Sequence, residues 1–301
     1  MNAFVPASAA HSGHNSLRLT ASLLSAPAVA TLLVCSLVPL AITLWFSLTD
    51  YRLLTPRAGH FVALANYATL LTSAGFVAAL CRTLLLVGTV LLLTLAGGVP
   101  LALLLNAPVS GRGALRMLVI SPFFVMPTVS ALLWKDLLLH PVTGLLAWVA
   151  SLFGLSAFDG FERVPLLCIA LIIAWQWLPF ATLILLTSLQ SFNRELHEAA
   201  ALDGASSWKV FRHLTLPHLG RPLAVVVMLE TLFLLSSFAE IFVTTNGGPG
   251  TATTTLAFLI YSKTLLQFDV GGAAAVGIIA VLLANMVAFF LIRAVDRSLE
   301  I

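Results

Sequence analysis

Residues 198–205 read Glu-Ala-Ala-Ala-Leu-Asp-Gly-Ala, and residues 214–217 read Leu-Thr-Leu-Pro. Both stretches lie in a polar, charge-bearing segment at about 190–220, which we call the island. The island separates two apolar runs that are each long enough to cross a bilayer. A polar segment in this position must lie outside lipid, so the chain is predicted to fold as a bundle of membrane helices.

The composition also assigns the chain to the membrane. Of its 301 residues, 60% are hydrophobic and only 9% are charged, whereas soluble domains carry roughly 25% charged residues. A water-soluble fold could not bury that much apolar surface, so we expect an integral protein in contact with membrane lipid. The net charge of +3 is small, and no basic face suggests binding to nucleic acid.

Six apolar segments are long enough to cross a hydrocarbon core of about 30 Å as helices. Helices are required because lipid offers no partners to backbone N–H and C=O groups. The predicted spans are Ala21–Leu48, Arg82–Leu105, Ala114–Leu138, Val164–Leu189, Pro222–Thr245 and Gly271–Arg293. The chain is thus divided into an N-terminal tail at 1–20, a six-span domain at 21–297 and a C-terminal tail at 298–301.

Several of these spans contain proline, which frees a backbone carbonyl and can kink a helix. Such kinks are either tolerated without consequence or help to shape a cavity, and the sequence leaves both interpretations open. The prolines within spans are Pro27, Pro39, Pro100, Pro122, Pro127 and Pro179.

Basic residues set the orientation of membrane helices. With the N-terminus in the cytoplasm, nine Lys and Arg residues fall on the inner side and six fall on or near the outer side. This bias predicts that both termini and the island are cytoplasmic.

The island is predicted to form two short helices joined by a sharp turn. Good helix formers occupy 195–202, and Gly204 suits the left-handed residue that closes a helix. Ser206 can cap a second helix at 207–214, and Pro217 is predicted to end it.

The Ala199-Ala200-Ala201 run gives the first of these helices a narrow surface. A narrow helix can enter a groove on another protein and approach it closely. The alternative is that the island merely lies on the lipid headgroups.

The spacing of Glu198-Ala-Ala, Asp203-Gly204 and Leu214-x-Leu216-Pro217 resembles the EAA loop of binding-protein-dependent ABC importer permeases. Leucine stands at 214, where isoleucine is common in that loop. Asn246-Gly-Gly-Pro-Gly250 and the threonine-rich stretch after it resemble the carbohydrate-uptake permeases of the maltose-permease type. Among those, the chain looks most like the sorbitol/mannitol permeases, and the resemblance covers essentially everything after Arg18.

This resemblance implies an all-α protein with six transmembrane helices, the type I ABC importer permease fold, in a bacterial cytoplasmic (inner) membrane. It implies three protein partners: a cytoplasmic ATPase dimer, a second permease subunit and an extracytoplasmic solute-binding protein. The loop would dock as a coupling helix in a cleft of the ATPase, whose closure on ATP rocks the permease pair between inward-open and outward-open states. The matching residues are Glu198, Ala199, Ala200, Asp203, Gly204, Leu214 and Pro217.

The chain is predicted to be neither an enzyme nor the holder of a cofactor or metal. It has no GxxxxGK[ST] phosphate loop, so a partner would have to hydrolyse the ATP. No HExxH or GxSxG motif supports a membrane-embedded enzyme. A self-sufficient secondary transporter of a small polar solute is the alternative, and the lack of a visible inverted repeat counts against it.

Polar residues inside spans are costly and are therefore candidates for contact with a transported solute. A carboxylate or an amide can bond the hydroxyls of a sugar or polyol, and an indole can stack on its C–H face. Alternatively, Glu230 is protonated or pairs with a partner subunit, and the aromatic side chains only pack against helices. The candidates share one helix face in each span: Gln176, Trp177 and Phe180 in the fourth, and Glu230, Leu234 and Ser237 in the fifth.

Overall fold

A computed structural model describes residues 9–55, 59–107, 111–156, 158–192 and 194–297. This part of the chain is mostly helical. Its α-helices, in chain order, are α1 (Ala9–Ser47), α2 (Ala65–Thr72), α3 (Ala74–Asn106), α4 (Arg112–Ile120), α5 (Pro127–Leu132), α6 (Leu145–Leu152), α7 (Gly160–Arg163), α8 (Pro165–Gln190), α9 (Arg194–Leu202), α10 (Ser207–Val210), α11 (Leu216–His218), α12 (Gly220–Leu234), α13 (Ala239–Thr244), α14 (Leu256–Tyr261) and α15 (Val270–Arg297). A 3₁₀ segment, Ser121–Phe124, follows α4, and π-helical segments follow α5 (Leu133–Leu138), α10 (Phe211–Thr215) and α14 (Ser262–Leu266).

Four continuous helices confirm the first, second, fourth and sixth predicted spans. Their apolar parts run Ser25–Ser47, Ala74–Asn106, Pro165–Gln190 and Val270–Arg293. Helix α1 begins at Ala9, so residues 9–20 of the predicted N-terminal tail are helical. The first eight residues and the predicted C-terminal tail at 298–301 lie outside the described residues.

The third predicted span, Ala114–Leu138, is not one straight helix. It consists of two helical arms, Arg112–Phe124 and Pro127–Leu138, which are bent by 98° relative to each other. Pro127 lacks the N–H group that would continue the first arm, and it holds Met126 in an extended conformation with φ −60° and ψ 140°.

The fifth predicted span, Pro222–Thr245, is also broken. Helix α12 ends at Leu234, and α13 starts only at Ala239. In addition, α12 is bent by 55° from the helical segment Ser207–His218 that precedes it. Six spans result if each bent pair crosses the membrane once.

Helices α3 and α8 form the centre of the bundle. Two clusters of buried side chains join them, and these include Leu86, Val90, Ile169 and Ile173 at one end and Ala102, Leu105, Leu185 and Leu189 at the other. The two helices therefore run parallel and stay in contact along most of their length. Near the middle, a Cβ on Gly98 would lie only 3.1 Å from the Ala181 Cβ, so a small residue allows the close approach.

Where the helices break, side chains from other helices bind the freed backbone groups. Lys135 Nζ donates to the Val243 carbonyl oxygen at 3.1 Å, at the end of α13. Thr83 Oγ1 accepts from the Leu256 backbone N–H at 2.9 Å, at the start of α14. Such contacts matter because an unsatisfied backbone group in lipid costs several kcal/mol.

One buried polar contact ties α12 to α3. The Thr94 hydroxyl of α3 donates to Glu230 Oε2 of α12 at 2.7 Å, and both side chains are fully buried. The contact joins the fifth predicted span to the central pair of helices.

The loop between α13 and α14 is held together by its threonines. The Thr245 and Thr253 hydroxyl oxygens lie 2.7 Å apart, and Thr253 also donates to the Gly248 carbonyl oxygen at 3.0 Å. Gly247 has φ +85°, and a Cβ at this position would collide with the Phe258 ring. Glycine is therefore required here both by the backbone conformation and by the available space.

We expect Gly247→Ala to lower the free energy of unfolding by about 2–5 kcal/mol, because a left-handed backbone costs roughly 1–2 kcal/mol and overpacking adds roughly 1–3 kcal/mol. Gly250→Ala is the matched control, since Gly250 also has a positive φ, +61°, but open space around its Cβ position. Thermal unfolding of the purified protein in detergent measures both changes. Equal losses in the two variants would contradict the role of the Phe258 ring.

We expect Thr94→Val to lower the free energy of unfolding by about 1–3 kcal/mol, because it leaves the buried Glu230 carboxyl group without its donor. Thr94→Ser keeps the hydroxyl and should retain most of the stability. Unfolding of both variants in the same detergent tests this, and a Thr94→Val protein as stable as the parent would rule the contact out as a stabilising one.

Candidate functional site

The first arm of the island is a helix closed by a glycine turn, as the sequence predicts. Helix α9 ends at Leu202, and Gly204 adopts the left-handed conformation with φ +74°. The Ala205 N–H donates to the Ala200 carbonyl oxygen at 3.0 Å, which is the bond that reverses the chain at a helix end. The predicted turn at Gly204 is therefore confirmed.

The turn of the island projects from the bundle. Glu198, Ala199, Asp203 and Gly204 are all exposed, while Ala200 is half-buried. Leu202 has 89% of its surface exposed, although it is a large apolar residue. The tip of the island is therefore accessible to another protein.

The second arm differs from the sequence-based expectation. Ser206 precedes α10 with extended backbone angles, but its side chain makes no capping hydrogen bond. The helical path does not end at Pro217; it passes through a π-helical segment into α11 and then bends into α12. Pro217 fits because it lies in the first turn of α11, where a missing N–H group is tolerated.

The second arm of the island has an apolar face and a polar face. Leu214 is half-buried together with Val210 and Phe211, whereas Lys209, Arg212 and His213 are exposed. A groove of about 590 Å³ lies beside the arm and is lined by residues that include Leu103, Trp208 and Phe211.

The base of the island is fixed to the centre of the bundle. Leu219 is fully buried in the same cluster as Leu105 of α3 and Leu185 of α8. The His218 Nε2 atom lies 3.0 Å from the Ser188 carbonyl oxygen, and its ring packs against Phe192 with ring centroids 4.6 Å apart. A displacement of the island would therefore move the ends of α3 and α8.

Inside the bundle, Glu230 and Leu234 face neighbouring helices. Glu230 is fully buried against Thr94, and its Oε1 atom has no hydrogen-bond partner among the described residues. Leu234 is 2% exposed and belongs to the core cluster with Val90 and Ile173.

Gln176 holds the bend of the third span. Its Nε2 atom donates to the Val125 carbonyl oxygen at 2.7 Å, and Val125 lies between the two arms that meet at 98°. Its Oε1 atom is buried without a partner in the described part of the chain. The amide thus satisfies a carbonyl that the break in the helix has freed.

Thr94, Gln176 and Glu230 occupy equivalent positions along their helices. Helix α12 runs antiparallel to α3 and α8, because Leu219 contacts the ends of those helices and Leu234 contacts their earlier parts. Along its own helix, each of these three residues lies one turn closer to the island than a residue of the core cluster does. Those members are Val90, Ile173 and Leu234, respectively.

Trp177 and Phe180 belong to a partly exposed aromatic surface, which we call the aromatic face. It is formed by Phe123, Trp177, Phe180 and Phe233. The ring centroids of Trp177 and Phe233 lie 5.2 Å apart, those of Trp177 and Phe180 lie 5.6 Å apart, and Phe123 stacks on Phe180 at 6.0 Å. Phe123 and Phe233 are 41% and 57% exposed, so the face is open on one side.

Sequence reasoning missed two members of this face. Phe233 lies three residues after Glu230, on a neighbouring part of the same helix surface, so helical spacing was a usable signal. Phe123 could not be found in this way, because only the 98° bend brings it to α8.

Ser237 does not share a helix face with Glu230 and Leu234, so that part of the prediction is wrong. Helix α12 ends at Leu234, and Ser237 lies in the break before α13. The Ser237 N–H donates to the Leu234 carbonyl oxygen at 3.1 Å, which closes the helix end as a turn. The six predicted residues therefore occupy three different settings. Gln176, Glu230 and Leu234 make buried contacts, Trp177 and Phe180 belong to the aromatic face, and Ser237 lies in a helix break.

The chain is similar to transport proteins along most of its length. A family model described as "binding-protein-dependent transport system inner membrane component" matches residues 95–301. A probable ABC transporter permease protein of Sinorhizobium fredii is 36% identical over 83% of this chain and 81% of its own length. The trehalose/maltose transport system permease protein MalF of Thermococcus litoralis is 34% identical over 82% of this chain and 84% of its own length.

A solved structure shares the fold. One chain of a bacterial alginate ABC transporter, crystallised with an alginate pentasaccharide-bound periplasmic protein, superposes with a TM-score of 0.77. It is 26% identical and covers 92% of this chain and 93% of its own.

The helical bundle, the exposed island and these similarities agree on the type I ABC importer permease fold and on a transport role rather than an enzymatic one. The chain belongs to the family of binding-protein-dependent transport system inner membrane components, the permeases of ABC importers.

Proposed function

We propose that this chain forms one half of the translocation pathway of an ATP-driven importer for a sugar or a polyol. The observation that carries the proposal is the exposed glycine turn of the island on a chain of the permease family. The chain itself needs no cofactor in this scheme, because a partner ATPase hydrolyses the ATP.

The island is the proposed contact with a cytoplasmic ATPase dimer. Ala199 and Ala200 give α9 a narrow surface, and the exposed Leu202 and Glu198 flank it with an apolar and a charged group. The contacts of Leu219 and His218 connect this surface to α3 and α8. Motion of the ATPase would therefore reach the two central helices without a flexible link.

The aromatic face is the proposed contact with the transported solute. Trp177 and Phe233 present open ring surfaces, and neither carries a charge. Rings of this kind stack on the C–H faces of sugars and polyols. Because the face is open on one side, a second permease subunit is proposed to complete the cavity around the solute.

The other intramembrane candidates are proposed to position the site rather than touch the solute. Gln176 holds the bend that brings Phe123 to the aromatic face, and Glu230 ties α12 to α3. The relatives described above favour a carbohydrate as substrate, since one is named for trehalose and maltose and another for alginate. A sorbitol- or mannitol-like polyol is the narrower proposal, which rests on the sequence resemblance.

An extracytoplasmic solute-binding protein is proposed to deliver the solute at the end of the bundle opposite the island. With the island and both termini in the cytoplasm, the loop between α13 and α14 lies on the delivery side. The assembly would reside in a bacterial inner membrane.

We expect Glu198→Lys to reduce ATP-dependent uptake by at least tenfold in proteoliposomes that contain the assembled importer, because a reversed charge on the exposed island opposes docking of the ATPase. Glu162→Lys is the matched control, since it reverses an exposed carboxylate at the opposite end of α8 and should leave co-purification of the ATPase with the permease unchanged, whereas Glu198→Lys should weaken it. Normal uptake in the Glu198→Lys variant would contradict the assignment of the island, and uptake driven by an ion gradient without ATP would favour a secondary transporter.

We expect Trp177→Ala to raise the apparent KM for the transported sugar or polyol by roughly 2- to 10-fold, because an aromatic stacking contact contributes about 0.5–1.5 kcal/mol. The solute is first identified by an uptake screen that includes trehalose, maltose, sorbitol and mannitol. Trp175→Ala is the matched control, because Trp175 packs against Trp134 instead of the aromatic face. An equal change in KM in both variants would remove Trp177 from the solute path.

A further inference from the structure

We infer that α6 and its flanking residues lie in the headgroup–acyl boundary of the membrane, at the end of the bundle opposite the island. This surface is separate from the proposed ATPase contact and from the aromatic face. It rests on the exposure, charge pattern and position of one segment.

Helix α6 has no buried residue. Leu145, Trp148 and Leu152 are spaced three and four residues apart, so they form one stripe, and their exposed fractions are 50%, 59% and 64%. The neighbouring residues extend this stripe into a larger surface, which we call the α6 patch. Its members are Val142, Leu145, Trp148, Leu152, Phe153, Leu155 and Phe158, each at least half exposed.

The segment that carries the patch contains no charged residue and no histidine from Pro141 to Phe158. Ionisable residues flank the segment at both borders. His140 Nδ1 accepts from the Thr143 backbone N–H at 3.2 Å at one end, and the Arg163 guanidinium lies 5.5 Å from the Phe158 ring centroid at the other. An apolar stretch with tryptophan at its centre and polar groups at its borders is typical of a segment that lies in a membrane interface.

The connections of the segment keep it at the membrane boundary. It begins after Leu138, where the second arm of the bent third span ends, and it leads into α8, which starts at Pro165. Exposed apolar residues continue onto both neighbours, at Leu137 (60% exposed) and Leu167 (46% exposed). Since α8 has 26 residues and is about 39 Å long, the patch and the island lie on opposite sides of the bilayer core.

Lipid explains this surface better than a protein partner does. A soluble solute-binding protein contacts a permease only intermittently, so the patch would be left in water between encounters, and soluble surfaces rarely keep apolar patches beyond a few hundred Å². Protein interfaces also carry about one hydrogen bond per 100–200 Å², whereas the patch side chains offer only the Trp148 N–H group. The acyl region needs no such partners.

The test uses site-directed fluorescence in the intact importer reconstituted into vesicles. Bimane is attached at Trp148→Cys in a background of Cys35→Ala, Cys81→Ala and Cys168→Ala that retains uptake. Quenching by brominated phosphatidylcholine is compared with quenching by aqueous iodide. Ala150→Cys is the matched control, because Ala150 is half-buried and points away from the stripe, and Thr55→Cys, in the loop after α1, is the water-exposed control. Leu152→Cys, on the same stripe, provides a second label if the Trp148→Cys protein does not assemble.

We expect brominated lipid to quench the labels on the stripe several-fold more strongly than the label at 150, and iodide to quench mainly the label at 55. Strong quenching of the stripe labels by iodide would overturn the inference, because the patch would then face water. Protection of these labels from both quenchers would also overturn it, because a protein subunit would then cover the patch.

Discussion

Hydrogen bonding of freed backbone groups by side chains of other helices is the constraint on which this bundle depends. Lipid cannot replace a backbone partner, so each break in a span needs an internal donor or acceptor. Gln176 supplies a donor at the bend of the third span, Lys135 supplies one at the end of α13, and Thr83 supplies an acceptor at the start of α14. These contacts allow the chain to depart from straight helices without leaving these backbone groups unpaired in the apolar phase.

The bends that these contacts permit also create the aromatic face. The 98° bend brings Phe123 beside Trp177 and Phe180, so the aromatic face exists only because the third span is broken. The Gln176 amide therefore fixes the backbone geometry beside the aromatic face.

The rigid attachment of the island has a mechanical consequence. Its tip is exposed at Leu202, but its base is buried at Leu219 among residues of α3 and α8. Because α3 and α8 are packed along most of their length, with Gly98 allowing close approach, a push at the island is carried by close-packed side chains. Thr94, Gln176 and Glu230 each lie one turn from the core cluster that joins these helices.

The sequence by itself determined the membrane class, four continuous spans, the helix and glycine turn of the island, and the family. These features are local: a run of apolar residues, a glycine that tolerates positive φ and a fixed spacing of residues each act over a few turns of one helix. The tertiary structure decided where the third and fifth spans break, and the break in the fifth span places Ser237 off the helix face. It also decided that the helical path continues through Pro217 and that Glu230 contacts Thr94. Those outcomes depend on whether a side chain distant in the sequence can satisfy a freed backbone or carboxyl group, and helical periodicity carries no information about such partners.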